Sequence, residues 1–250
     1  MSTFDFAAAI AARPGGATRA QLVAAFGDPT VHATRTGGGK FEPAAAFRSR
    51  LVKIPIDDLP GFPVYADPSI KITGVTLHEV VAPVFLATWA ELRKRNLHKR
   101  LRTYDGAVTF RHMLWDYTRP VSLHAYGSAV DFDARWNGYG IPAARMEMDR
   151  DVVQAFCECG WHWGGFWNPT DGMHFQWTDS LPGVPVPDYQ DAMARKTVQI
   201  VKPELPAAPA PQPVLLIPDG KGGWQNIAGR KVEGPFSVIN AENPQKVWAR

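Results

Sequence analysis

The sequence has few cysteines and no long apolar run. Its two cysteines, Cys157 and Cys159, are one residue apart, which is poor geometry for a mutual disulfide. A disulfide framework is therefore excluded, and stability must come from a hydrophobic core and from any bound metal. No stretch approaches the roughly 18 apolar residues of a membrane span, and the N-terminus lacks a basic region followed by an apolar run. We expect a product made in the cytoplasm without a signal peptide, and no membrane partner.

A strong excess of either charge is also missing. Lysine and arginine number 27 against 24 acidic residues, a net charge of +3, which favours polyanions only mildly. The densest basic cluster consists of Arg93, Lys94, Arg95, Lys99, Arg100 and Arg102. It follows a predicted helix, where solvated positive charge is favourable at the C-terminal end. We therefore prefer a solvated helix end to a polyanion site and expect no nucleic-acid partner.

The apolar periodicity indicates both helices and strands. Helices are predicted over residues 18–27, 83–101 and 142–159, and strands over residues 50–56, 107–111 and 129–133. Thr18 and Gln21 form a capping-box pattern, and Gly27 and Gly160 follow the ends of two of the helices. The fold class predicted from this pattern is α+β, a small and mostly antiparallel sheet with flanking helices.

The composition changes after residue 180. Residues 203–213 are rich in Pro and Ala and are typical of an extended linker. Residues 214–250 favour two or three short strands, a β-rich appendage too small to bury much core alone. We predict a main domain over residues 1–202, with its core at about 75–180. The appendage then docks on that domain, oligomerises, or binds a partner such as the cell wall.

Two motifs carry the chemistry, SLHAYGSAVDFD at residues 122–133 and DGMHF at residues 171–175. They supply His124, Asp131 and His174, and two imidazoles with one carboxylate form the ligand set of an open zinc site. Asp171, three residues before the last histidine, is a candidate base for a metal-activated water. Asp133 shares a strand face with Asp131 and is an alternative ligand.

Other chemistries are less well supported. A triad of Ser122, His124 and Asp131 lacks the sharp Gly-x-Ser-x-Gly turn that exposes a nucleophilic serine. Cys157 and Cys159 have no second cysteine pair with which to form a metal site. Residues 160–177, GWHWGGFWNPTDGMHFQW, place four tryptophans around two histidines, which indicates either the wall of a cleft or core.

The pattern Ser-x-His-x-x-Gly-x-Ala-x-Asp followed by Asp-x-x-His is similar to that of the zinc peptidoglycan peptidases. This family groups D-alanyl-D-alanine carboxypeptidases with the L-alanyl-D-glutamate endopeptidases of phage endolysins, and the resemblance covers about residues 75–180. It implies that His124, Asp131 and His174 bind zinc and that Asp171 is the catalytic base, and its spacing selects Asp131 over Asp133.

The resemblance also implies residues that contact substrate. An upstream arginine holds a substrate carboxylate or the oxyanion, for which Arg111 is the better candidate and Arg119 the other. Some relatives have a histidine two residues after the last ligand, where this chain has Gln176. This departure leaves transition-state stabilisation to another donor, such as His162. Ser122, at a structural position of the motif, and Trp163, on the cleft wall, complete the predicted substrate-binding set.

The function expected from the resemblance is hydrolysis of amide bonds in peptidoglycan stem peptides, by an endopeptidase or a D,D-carboxypeptidase. Such a protein would act on the cell wall after release, as a phage or prophage lysin, or as a virion component. A second enzymatic option is a dipeptidase or carboxypeptidase for small precursors. The alternative of another class is a non-catalytic, zinc-stabilised wall-binding or phage structural protein. Asp171 counts against that alternative, because a structural zinc site needs ligands and no base.

Overall fold

Short helices and strands make up the part of the chain that contains both motifs. The computed structural model describes residues 4–16 and 18–178, together with four short strands beyond residue 215. The strands of the first part are β1 (Thr34–Gly37), β2 (Lys40–Glu42), β3 (Leu51–Pro55), β4 (Val64–Tyr65), β5 (Gly74–His78), β6 (Thr103–Gly106), β7 (Ala129–Phe132), β8 (His162–Trp163) and β9 (His174–Gln176). The α-helices are α1 (Phe6–Ala11), α2 (Arg19–Phe26), α3 (Ala45–Arg48), α4 (Ala82–Lys94), α5 (Ala134–Asn137) and α6 (Arg150–Glu158).

A five-stranded sheet with the order β4-β6-β7-β9-β8 places the two motifs side by side. Only β4 and β6 are parallel, and the other neighbours are antiparallel. β7 carries the first motif and β9 the second, with Asp131 directly opposite His174. The hairpin β1-β2 and the pair β3-β5 form two smaller antiparallel sheets. The predicted α+β class is confirmed.

Local sequence accounts for several of these elements. The side chain of Thr18 accepts a hydrogen bond from the Gln21 amide, and Gln21 reaches back to the Thr18 amide, so the predicted capping box begins α2. The strand predicted over residues 50–56 is β3, and the strand predicted over residues 129–133 is β7. Both flank the buried core, whose largest side chains include Trp89, Trp161 and Trp177.

The strand predicted over residues 107–111 is wrong. The strand in this region is β6, which ends at Gly106. Pairing with β7 shifts register between Tyr104 and Gly106, and Gly106 has a φ of +130°. The chain therefore leaves the sheet at a conformation that favours glycine, and the next residues pass along the edge of the metal centre.

Two predicted helices are longer than the observed ones. Residues 142–159 contain a 3-10 helix at Ala143–Arg145 and then α6, which begins after Asp149. The Asn137 side chain accepts hydrogen bonds from the amides of Glu147 and Met148, so these residues cannot use those amides in a helix. Helix α4 ends at Lys94, and Asn96 is left-handed with a φ of +57°.

The chain divides into two units, residues 1–201 and 202–250. In the second unit, β10 (Leu216–Pro218) pairs with β11 (Trp224–Asn226), and β12 (Phe236–Val238) pairs with β13 (Val247–Ala249), both antiparallel. The residues described in this unit all lie in short strands, in agreement with the predicted β-rich appendage. The proposed linker at residues 203–213 lies outside the described residues. Across the described part of the chain, the helices are too short or too polar to span a bilayer.

Candidate metal centre

His124 is fixed by a short 3-10 helix, Leu123–Tyr126. The helix ends at Gly127, where φ is +68° and a Cβ would meet the His78 amide nitrogen at 2.7 Å. The Nδ1 of His124 lies 2.6 Å from the Ala107 carbonyl oxygen. A carbonyl oxygen only accepts, so Nδ1 carries a proton, and in the neutral imidazole Nε2 keeps its lone pair. The backbone after β6 therefore sets the tautomer in which Nε2 can bind a metal.

Asp131 and His174 bring two further donor atoms to the same point. The Nδ1 of His174 lies 3.0 Å from Asp131 Oδ1 and 3.1 Å from His124 Nε2. The other carboxylate oxygen of Asp131 lies 3.2 Å from His124 Nε2. All three side chains are buried. Of the described residues, these form the group of potential ligands that could hold a metal ion.

The geometry of this cluster fits a metal ion. Zinc bonds of about 2.0–2.1 Å in a tetrahedron place neighbouring ligand atoms about 3.3–3.4 Å apart, close to the 3.0–3.2 Å separations observed here. In the neutral imidazole the Nε2 lone pair of His124 faces the Asp131 carboxylate, and two acceptors at this distance are stabilised by a proton or a metal ion between them. The residues present therefore suit a divalent ion with two imidazole ligands and one carboxylate.

Electrostatics in the cluster favour an ionised carboxylate. Burial by itself would raise the pKa of Asp131, but the charges and hydrogen bonds of His124 and His174 outweigh it and hold that pKa well below its usual range. Burial alone would lower the pKa of His124, but the charge and hydrogen bond of Asp131 outweigh burial, so this pKa is raised. The carboxylate is thus available as a charged ligand.

Asp171 lies close enough to His124, Asp131 and His174 to interact with their charges, but it is not one of the potential metal ligands. Its backbone amide donates to the Gly164 carbonyl at 2.9 Å, and its carbonyl accepts from the His174 amide at 3.1 Å. Its Oδ1 is buried and has no hydrogen-bond partner among the described residues. Burial raises the pKa of Asp171 to about 6, partly opposed by His174. A carboxylate with a pKa near neutrality can accept and return a proton.

Arg111 lies half-buried on the segment between β6 and His124. Its backbone carbonyl accepts from the Ser122 amide at 3.0 Å, two residues before His124. Burial lowers the pKa of its guanidinium, whereas the nearby charges of Asp131 and Asp171 raise it. Arg111 therefore brings positive charge to the edge of the metal centre. Its guanidinium has five donors, more than its 3.4 Å hydrogen bond to the His112 carbonyl uses.

Asp133 does not share this site. One of its oxygens accepts hydrogen bonds from the amides of Arg102 and Thr103, both at 2.8 Å. It follows the end of β7 with a φ of +54°. The strand alternation that would place its side chain on the same face as Asp131 therefore ends before it. Its carboxylate ties β7 to the start of β6, and the choice of Asp131 over Asp133 agrees with the geometry.

Residues 116–177 match a peptidase family model described as D-alanyl-D-alanine carboxypeptidase. The predicted family resemblance is confirmed over this segment. No curated protein and no solved structure gave a match to the chain. The matched segment, residues 116–177, contains the three potential ligands and Asp171, whereas Arg111, β6 and the Ala107 carbonyl precede it.

Within the matched segment, two residues predicted to bind substrate are buried. Ser122 is 4% exposed, and its Oγ accepts from the His124 amide at 3.4 Å. Trp163 is also 4% exposed, and its indole N–H donates to the Gly172 carbonyl at 2.7 Å. These placements favour positioning of His124 and of the Asp171 loop over contact with substrate.

The other two predicted substrate residues lie nearer the surface. Arg119 is exposed, and its carbonyl accepts from His112 Nδ1 at 2.7 Å. His162 is half-buried on β8, opposite Gln176 of β9. The substrate-binding roles of Arg119 and His162 remain predictions, because neither placement identifies a ligand.

Two features of the site carried no signal that motif spacing could detect. The Ala107 carbonyl orients His124, but a backbone acceptor leaves no mark on residue type. Trp167 contacts the potential ligand His174, with its ring centroid 5.3 Å from that of the histidine. Its place among four tryptophans could have suggested a cleft wall, although sequence alone does not separate it from the buried Trp161 and Trp177.

Proposed function

We propose that the protein is a zinc peptidase that hydrolyses amide bonds in the stem peptides of peptidoglycan. The observation that carries the proposal is the buried cluster of His124, Asp131 and His174, whose donor atoms lie 3.0–3.2 Å apart. This cluster lies within residues 116–177, the segment that matches the peptidase family model. The wall as substrate implies that the protein acts there after release from the cell that makes it.

Each residue has a role that follows from its place. His124, Asp131 and His174 would hold the ion, which when bound supplies a water of lowered pKa and polarises the amide carbonyl. Asp171, whose buried Oδ1 has no hydrogen-bond partner among the described residues, would take a proton from the attacking water and deliver it to the departing amine. Arg111 offers its guanidinium fork to a substrate carboxylate or to the developing oxyanion.

The decisive test separates metal binding from turnover. Asp171→Asn keeps the size of the side chain and should retain about one zinc per chain, while hydrolysis of stem peptides falls by roughly 10²- to 10⁴-fold. His124→Ala should lose both zinc and activity. Zinc is measured by elemental analysis and cleavage by mass spectrometry of an intact-wall digest, which also identifies the bond that is cut.

Two outcomes would contradict the proposal. Turnover at the wild-type rate in Asp171→Asn would remove Asp171 from the mechanism. A wild-type protein that binds zinc but neither clears permeabilised Gram-negative cells nor cleaves stem peptides would indicate a structural zinc site. A non-catalytic wall-binding role would then be the better interpretation.

A further inference from the structure

The hairpin β1-β2 is built against the segment that carries Arg111. The His112 amide donates to the Gly39 carbonyl at 2.8 Å, and the Tyr117 hydroxyl donates to the Lys40 carbonyl. Lys40 and Arg111 also face each other as an antiparallel bridge between the two segments. An N-terminal region without a predicted function thus supplies Lys40 to the rim of the metal centre.

Trp115 projects from this rim between two cations. The Lys40 ammonium lies 5.0 Å from the centroid of the Trp115 ring, and the Arg111 guanidinium carbon lies 4.8 Å from it. The tryptophan is nevertheless 49% exposed, and both it and Leu114 have a positive φ, 60° and 52°. A bulky residue held in this conformation is strained and marks a candidate functional position. The indole presents a large apolar surface to solvent beside the site.

The Lys40 ammonium and the Arg111 guanidinium make no direct ion pair in the described part of the chain, although the charges of Asp131 and Asp171 act on Arg111 from a greater distance. No carboxylate of the described residues lies within 4.0 Å of Lys40 or Arg111. The basic cluster around α4 is different, because Arg95 pairs with Glu91 and Arg100 pairs with Asp149. Two positive charges without a direct ion pair therefore lie together next to the candidate active site, where they would attract an anionic group of a ligand.

We propose that Lys40 and Trp115 form a substrate subsite that binds a carboxylate-bearing residue of the peptide on the Arg111 side of the metal centre. The Lys40 ammonium pairs with the carboxylate, and the Trp115 indole covers the neighbouring aliphatic part of the peptide. The inference rests on the proposed function and extends it. The subsite would favour stem peptides with free internal carboxylates over peptides in which these carboxylates are amidated.

The test compares two synthetic stem peptides that differ only in whether their internal carboxylates are free or amidated. The full-length zinc-loaded protein should prefer the free-carboxylate peptide by about two- to five-fold in kcat/KM, the range of an exposed ion pair. Lys40→Gln should abolish this preference by raising KM for the free-carboxylate peptide, with kcat unchanged. Trp115→Leu should raise KM for both peptides and keep their ratio.

The matched control is Lys99→Gln, which removes another exposed lysine and should leave the preference intact. The subsite is refuted if the wild type does not discriminate between the peptides or if Lys40→Gln discriminates equally well. It is also refuted if Trp115→Leu weakens only glycan-bearing fragments, which would make Trp115 a sugar platform.

Failure of the proposed function gives a different result, because the wild type then cleaves neither peptide. Binding of the same two uncut peptides is in that case measured by calorimetry on wild type and Lys40→Gln. A preference that disappears in the variant supports the subsite without catalysis, and equal affinities overturn it.

Discussion

At the scale of single residues, His78 shows how a core histidine depends on remaining neutral. It is fully buried, its Nε2 lies 3.0 Å from the Phe26 carbonyl oxygen, and its Nδ1 accepts from the Val80 amide at 3.2 Å. Burial lowers its pKa, and the charge of Arg50 lowers it further. A proton on Nδ1 would face an N–H donor, so the folded state disfavours the imidazolium.

We therefore expect His78 to make the protein less stable in mild acid. Unfolded histidine gains its proton as the pH falls through about 6.5, whereas folded His78 gains it only at a lower pH. Its contribution is fully present above pH 6.5 and is lost as the pH falls towards the folded pKa. Urea unfolding between pH 7.5 and 5 should show a smaller loss of stability in His78→Gln than in wild type. Parallel pH profiles would contradict this.

Side-chain chemistry at this scale was largely accessible from the sequence. The motif spacing grouped His124, Asp131 and His174, and the structure brings them together. The Ala107 carbonyl and the rim pair of Lys40 and Trp115 could not be found in this way. Their positions depend on where the chain runs after β6 and on which segment the hairpin β1-β2 packs against.

At the scale of elements, the turn of the hairpin β1-β2 contains two glycines with similar backbones and different surroundings. Gly38 and Gly39 have φ values of +54° and +68°. A Cβ at Gly38 would meet no atom within 4 Å, whereas a Cβ at Gly39 would overlap the backbone carbonyl of Trp115. The second glycine is thus required for the hairpin to approach the rim loop.

Alanine variants of Gly38 and Gly39 separate the cost of the left-handed backbone from the cost of the overlap with Trp115. Gly38→Ala should cost about 1–2 kcal/mol of unfolding free energy, the penalty for a left-handed non-glycine residue. Gly39→Ala should cost about 1–3 kcal/mol more, because the overlap forces the backbone of the hairpin or the loop to move. Chemical denaturation of both variants measures the difference. Equal losses would show that the hairpin does not pack closely on Trp115.

The sequence predicted a helix or strand correctly where the residues that determine it lie close together in the chain. The capping box of Thr18 and Gln21 and the alternation in β7 act within a few residues, and both predictions hold. The helix predicted over residues 142–159 begins too early, because the Asn137 side chain, ten residues before Glu147, takes the amides that its first part would need. β6 is displaced because its limits follow from pairing with β7.

At the scale of the whole molecule, the metal centre joins parts of the chain that are 50 residues apart, from His124 to His174. An ion that binds only the folded state stabilises it by about 2.7 kcal/mol at a free concentration 100 times its Kd. For a protein of this size, removal of zinc by a chelator should lower Tm by about 5–10 °C. His174→Ala should melt at one temperature with or without zinc, and an unchanged wild-type Tm would argue against a metal in this cluster.

The order of the five-stranded sheet limits how the matched segment, residues 116–177, can be moved into another protein. A fragment of residues 116–177 keeps β7, β8 and β9 but lacks β6, which covers the other edge of β7. That edge would present unpaired amides and carbonyls to solvent and invite association with other chains. His124 would lose the carbonyl that sets its tautomer, and Asp133 would lose its amide donors. A working chimera must therefore carry at least the chain from β6 onwards, and the hairpin β1-β2 as well if its substrate preference is to travel with it.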